Sequence, residues 1–173
     1  LNKAIYSPLC REDGTIIDDL IVYKLAEKNI LICVNAANIE KDLEWMKSQI
    51  DKFDCEISDK SSDYSLLAVQ GPQTVEILKK VFESTNFDEL EYYSIAKTED
   101  NFNALLARTG YTGEDGFEIF ADHKSIQLIW DKLMSLGVKP CGLGARDVLR
   151  LEVCYPLYGH ELNDEVTPLD SGL

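Results

Sequence analysis

A chain of 173 residues with a formal charge of −14 is long enough to bury a sizeable core and has the composition of an ordinary globular protein. Its acidity argues against a sequence-independent nucleic-acid surface, which needs clustered Lys and Arg, and no apolar run reaches membrane-spanning length. Five cysteines without C-x-x-C spacing, and only two histidines, argue against a disulfide framework, a metal cluster and a Cys-His nucleophile pair.

Strands are expected at 16–22 and 29–34, the second an apolar run in which Cys33 reads as a small buried thiol. A helix over 39–50 follows Asn38 as its N-cap. Residues 52–58 fit a further strand, and Asp59-Lys-Ser-Ser-Asp63 is polar and turn-like, a candidate boundary. A strand at 64–70 leads into Gly71-Pro72, which opens a helix through Phe82 with Pro at its first position. After a weakly patterned acidic stretch to Glu91, strands are expected at 92–97, 103–108 and 116–121, with helices at 124–136 and 143–153. In the first of these helices Ile126, Ile129, Leu133 and Leu136 recur as a core-facing stripe, with His123 at the surface of its first turn. Strands and helices interleave without internal repeats, which leaves α+β and α/β both open.

Local chemistry concentrates in Arg108-Thr-Gly-Tyr-Thr-Gly-Glu-Asp-Gly-Phe-Glu-Ile119. Gly110, Gly113 and Gly116 permit positive φ and close backbone approach to a ligand. On the strand that follows, Glu118 points away from Phe117 and Ile119 and stands alongside Phe120. Spacing alone leaves open a recognition carboxylate or a hairpin Glu in water. In Gly14-Thr-Ile-Ile-Asp-Asp-Leu-Ile-Val-Tyr23, Ile17, Asp19 and Ile21 share one face while Asp18, Leu20 and Val22 share the other. A buried carboxylate costs several kcal/mol unless paired or hydrogen-bonded, so at least one aspartate should meet a donor or a cationic ligand. Periodicity does not choose between them. Asp147 and Arg150, three apart on the last helix, read as a structural ion pair.

These stretches, with Gly142-Leu-Gly-Ala-Arg-Asp-Val-Leu-Arg-Leu-Glu152, Pro156-Leu-Tyr-Gly-His-Glu-Leu162 and Thr167-Pro-Leu-Asp170, resemble the T-protein family of the glycine cleavage system, in order and from Tyr6 to Leu173. The resemblance implies an α+β fold of mixed or antiparallel sheets with packed helices, part of a three-domain, cloverleaf-like protein with folate in a central channel. It places 1–58 in the second folate-binding domain, 59–162 in the returning part of the first and 163–173 in the re-entry to the second, the chain being an internal fragment that lacks the third domain.

The activity so implied is aminomethyl transfer. An aminomethyl group on the dihydrolipoyl arm of a partner H protein meets N5 of tetrahydrofolate, ammonia leaves, and N10 closes the methylene bridge. The family places its functional carboxylate at the second aspartate, so the resemblance assigns Asp19 to stabilising an iminium-like carbon and orienting N10. It implies Glu118 as a two-point acceptor for the pterin's amino and N–H donors, and Arg146 as a ligand contact. Tyr6, Tyr23 and Tyr111 are implied as aromatic folate-lining positions, and Asn35 as a further one. The implied partners are tetrahydrofolate and the lipoylated H protein, with no metal, nucleic acid or membrane; the compartment is the bacterial cytoplasm or the mitochondrial matrix. Alternatives are a folate-dependent demethylase, the folate domain of a dimethylglycine-oxidising enzyme, and a non-catalytic folate-binding scaffold. The scaffold relatives carry a Lys-Gly-Cys-Tyr-x-Gly-Gln-Glu type of motif where this chain has Arg108-Thr-Gly-Tyr-Thr-Gly-Glu-Asp.

Overall fold

The aliphatic run after Gly14, whose φ of +89° makes the turn, becomes the central strand of a three-stranded antiparallel sheet. The computed structural model describes residues 1–173. In it β1 (Lys3–Cys10), β2 (Ile16–Ala26) and β3 (Asn29–Cys33) lie in that order. The sequence pattern does not announce β1, because Pro8 interrupts it; the strand tolerates Pro8 because it lies at the edge of this sheet. Helix α1 (Ile39–Gln49) packs against β2. Asn38 precedes α1 as expected but makes no side-chain cap bond, and its amide donates to Asp18 Oδ1 instead, at 2.7 Å.

The strand expected at 52–58 does not form. After a 3-10 turn at Ile50–Lys52 the chain pairs with no neighbour, and Phe53 is 67% exposed. An extended segment without a partner leaves its N–H and C=O groups to water, so local β propensity has nothing to act on.

The second sheet has the order β4-β7-β6-β5, antiparallel throughout, built from β4 (Ser65–Gln70), β5 (Ile95–Lys97), β6 (Leu105–Ala107) and β7 (Gly116–Ala121). Strands β5 and β6 are shorter than expected because Tyr93 and Asn103 take left-handed φ of 57° and 50°. Helix α2 covers only Thr74–Leu78, starting after Pro72 and stopping before Phe82. Past Leu78 the hydrogen bonds tighten, Lys80 N to Ile77 O and Val81 N to Leu78 O, and this turn swings Phe82 fully into the core. Helix α3 (His123–Ser135) starts at Asp122, whose carboxylate accepts from Ser125 N at 3.0 Å. Helix α4 (Leu143–Glu152) follows. Phe117, Ile119 and Ala121 present one face of β7 to Leu78, Phe82, Phe87, Ile129 and Leu133, which form the main core.

The two sheets meet at one corner. Ala4 N donates to Tyr93 O (2.8 Å) and Ile95 N to Asn2 O (3.0 Å), and behind this seam Ala4, Tyr23, Ile95, Ala107 and Phe120 form a second buried cluster. The C-terminal segment returns to the first sheet, where Ile16 N donates to Val166 O (2.9 Å) and Arg11 pairs with Asp164. The whole is α+β with antiparallel sheets and four α-helices. No helix is long and apolar enough to cross a membrane.

Candidate active site

Alternation along β2 puts Asp19, Ile21 and Tyr23 on the face turned toward the second sheet. At the Tyr23 end that sheet covers the face completely. At the Asp19 end it leaves a cavity of about 400 Å3. Six of the seven expected residues line it: Tyr6 from β1, Asp19 from β2, Asn35 after β3, Tyr111 before β7, Glu118 from β7 and Arg146 from α4. Tyr23 does not. It is fully buried with its ring edge-on to Phe120 at 5.6 Å, which corrects its expected place on the ligand wall.

Each oxygen of Asp19 has one donor: Asn35 Nδ2 to Oδ1 at 2.8 Å and the Tyr6 hydroxyl to Oδ2 at 3.1 Å. Tyr6 reaches it because Tyr6 and Pro8 share the cavity face of β1, with Pro8 opposite Asp19 in register. Burial raises the Asp19 pKa above the usual aspartate value, more than the Asn35 and Tyr6 bonds lower it. Asp18, one residue back, points the other way, toward α1, and is wholly buried. Its oxygens accept from Asn35 N (3.0 Å), Asn35 Nδ2 (2.8 Å) and Asn38 Nδ2 (2.7 Å).

Glu118 lies opposite Ala68 and Ala107 in register, two small neighbours that leave its face open. It is not a hairpin carboxylate in water. Thr109 Oγ1 donates to its Oε2 at 2.6 Å and the Tyr23 hydroxyl reaches the same oxygen at 3.3 Å, leaving Oε1 for a ligand. Burial, then the Glu118 charge, pushes the Tyr23 phenol pKa up, so it serves as a donor. The same two influences push the Cys33 thiol, also on the cavity wall, up to about 12. That keeps it protonated and a poor nucleophile.

At the mouth, the Arg146 guanidinium lies over the Tyr111 ring, 4.6 Å from its centroid, and Tyr155 stacks on Tyr111 at 5.8 Å and 24°. The Tyr111 hydroxyl donates to Pro156 O. Arg146 is exposed and free to meet an anion. Arg150, one turn on, is committed to structure: it is 3% exposed and bonds Asp147 (2.7 Å), Glu161 (2.7 Å) and Tyr155 O (3.1 Å). The expected Asp147 pair is therefore one arm of a clamp that closes the loop after α4.

The model of the GCVT N-terminal domain matches residues 1–173, the entire chain. The chain belongs to this family. It is 47% identical over 177 residues to an aminomethyltransferase of Alkaliphilus metalliredigens (strain QYMF), covering 99% of this chain and 48% of that protein. Its fold matches the crystal structure of glycine cleavage system aminomethyltransferase T from Bartonella henselae with a TM-score of 0.87 and 33% identity, over 97% of this chain and 45% of that one. The chain thus spans about half the length of the relatives it matches.

Within this GCVT domain the glycine-rich stretch does something other than expected. Of its three glycines only Gly113 has positive φ, +75°, and a Cβ there would lie 2.4 Å from Val153. The space beside Gly110 and Gly116 is filled by protein: a Cβ would come within 1.9 Å and 2.4 Å of the Gln70 side chain. Gln70 threads between them and donates to Thr109 O (3.2 Å) and Phe117 O (3.3 Å), pinning Thr109 at one end of the stretch and β7, next to Glu118, at the other. Arg108 and Asp115 close the neck with a two-point ion pair at 2.9 and 2.7 Å. Thr109, Gln70 and Tyr155 escape sequence reasoning. The paired glycines facing one long amide were the available signal for Gln70; nothing local marks the other two.

Proposed function

We propose that the full-length protein is a tetrahydrofolate-dependent aminomethyltransferase, taking a one-carbon unit from an aminomethyl group on the dihydrolipoyl arm of a partner H protein, with release of ammonia and 5,10-methylenetetrahydrofolate. The observation that supports this is the convergence of two carboxylates, Asp19 from one sheet and Glu118 from the other, on a single cavity walled by tyrosines. The residues fit a folate. Glu118 offers Oε1 to the adjacent amino and N–H donors of a pterin while Oε2 is held by Thr109 and Tyr23. Tyr6 and Tyr111 supply aromatic walls, and Arg146 at the mouth suits the glutamate carboxylates of the tail.

Tetrahydrofolate supplies the accepting amines. The chain's own part is positioning and charge. Asp19, fixed by Asn35 and Tyr6, places an anionic oxygen in a partly dry cavity where positive charge develops on the transferred carbon, and stabilisation there needs no rearrangement of the donors around it. No side chain need be covalently modified in this scheme, and Cys33, one of the two thiols on the cavity wall, is held protonated by burial.

The experiment is transfer from aminomethylated H protein to tetrahydrofolate by the full-length chain, beside calorimetric titration with tetrahydrofolate alone. Transfer and binding together support the reading. Binding without transfer indicates the scaffold reading, and neither removes folate from the account.

A further inference from the structure

Behind the cavity, on the α1 side of β2, one ionisable group has no role in this scheme. Asp42, in the first turn of α1, is 1% exposed, and neither of its carboxyl oxygens meets a donor. As an anion it would bear the full cost of desolvation with nothing to offset it; as a neutral acid it has a proton to give. The acceptor on the facing strand is Asp18, buried, turned toward α1 and already bonded by Asn38 at the start of that helix, and its charge is among the influences that raise Asp42. We propose that Asp42 holds a proton at neutral pH and donates it to Asp18, and that this acid–carboxylate pair acts through Asn35 as a positioning device for the Asp19 carboxylate.

Asn35 is the link. Its Nδ2 bonds Asp18 Oδ1 (2.8 Å), Asp19 Oδ1 (2.8 Å) and Asp19 O (3.1 Å), while its backbone N bonds Asp18 Oδ2 (3.0 Å). With the Asp42 proton in place, Asp18 is ringed by donors from Asn35, Asn38 and Asp42, and the amide is fixed. Without it, two buried carboxylates repel across α1 and β2, and whatever Asp18 does Asn35 must follow. Asp42 is pushed up to about 8, first by burial and then by Asp18; Lys41 on the same helix lowers it and Asp164 of the C-terminal segment raises it. The switch therefore sits at mildly alkaline pH.

The positioning role rests on the proposed transfer reaction; the proton on Asp42 does not, and the tests separate them. Infrared spectra of the full-length protein should show a protonated-carboxyl band at neutral pH that disappears as pH rises through about 8 and is missing from Asp42→Asn, whose amide keeps the size and a donor for Asp18. In the transfer assay, kcat of the parent protein should fall through the same pH range, and Asp42→Asn should lose that alkaline limb, which a merely structural residue would not move. No neutral-pH band, or a band that survives Asp42→Asn, overturns the proton; an alkaline limb unchanged in Asp42→Asn overturns the positioning role. If Asp42→Asn fails to fold, the titration of the parent protein decides: a band lost through about pH 8 supports the proposal and no band overturns it. If no form transfers, the functional reading fails while the infrared result stands.

Discussion

The Tyr23 hydroxyl lies 3.3 Å from Glu118 Oε2, a contact that crosses from the first sheet to the second and sets the orientation of a cavity carboxylate from behind. Tyr23→Phe should therefore weaken tetrahydrofolate binding by about 0.5–1.5 kcal/mol, the net worth of one hydrogen bond, with the ring packing on Phe120 retained. Calorimetry on the full-length protein measures it; unchanged affinity would mean that Thr109 alone fixes Glu118.

Glu118→Gln should cost more in binding than in folding. The amide keeps the size but replaces one of the two acceptor oxygens with a donor, at roughly 1–3 kcal/mol of affinity. The Thr109 and Tyr23 hydroxyls can rotate to suit the remaining oxygen, so thermal unfolding should barely move. Equal losses in both measurements would make Glu118 a structural residue.

Asp19→Asn should lower kcat by roughly 10²–10³-fold while leaving tetrahydrofolate affinity comparatively intact. The pH profile gives a sharper check. Burial raises the Asp19 pKa, so the acid limb of the rate should lie above the usual aspartate range. The Tyr6 bond favours the anion and lowers that pKa; Tyr6→Phe should thus displace the limb further upward. A limb that stays put or moves down contradicts the assignment.

Asp42 predicts a trend in stability as well. Its folded pKa, about 8, lies above the ordinary aspartate value, so the folded state holds the proton more tightly than the unfolded chain. The stabilisation is complete below the unfolded pKa and is lost as pH rises toward about 8, above which it levels off. Denaturant midpoints of Asp42→Asn, compared with the parent across that range, should lack this decline.

Gly110→Ala should destabilise by about 1–3 kcal/mol through overpacking on Gln70, whose Oε1 lies 1.9 Å from the new Cβ. Gln70→Ala should relieve part of that loss, so the double-mutant cycle should show coupling. Additive effects would place the strain elsewhere in the loop.

Period-2 alternation separated Asp18 from Asp19 and set Glu118 apart from Phe117 and Ile119, but with aliphatic neighbours on both faces of β2 it could not choose between the aspartates; only the family resemblance pointed to Asp19. Alternation was blind to Tyr23, which shares a face with Asp19: the difference between them is which part the second sheet covers, and that is decided by residues far away in the chain. β1 was hidden by Pro8, whose tolerance depends on an edge position, and 52–58 misled because strand propensity carries no information about whether a partner exists. Asp42 looks in sequence like any acid in a first helical turn; its burial comes from packing on β2.

The backbone seam at Ala4, Tyr93 and Ile95 fastens the sheets at one corner, so the cavity lies in the open jaw of a clothes-peg whose spring is the small cluster behind it. Leverage follows from that layout. Enlarging Ala4 or trimming Ile95, neither of which touches the cavity, should alter the angle between the sheets and with it the span from Asp19 to Glu118. A molecule that gripped both carboxylates would press back on the same spring.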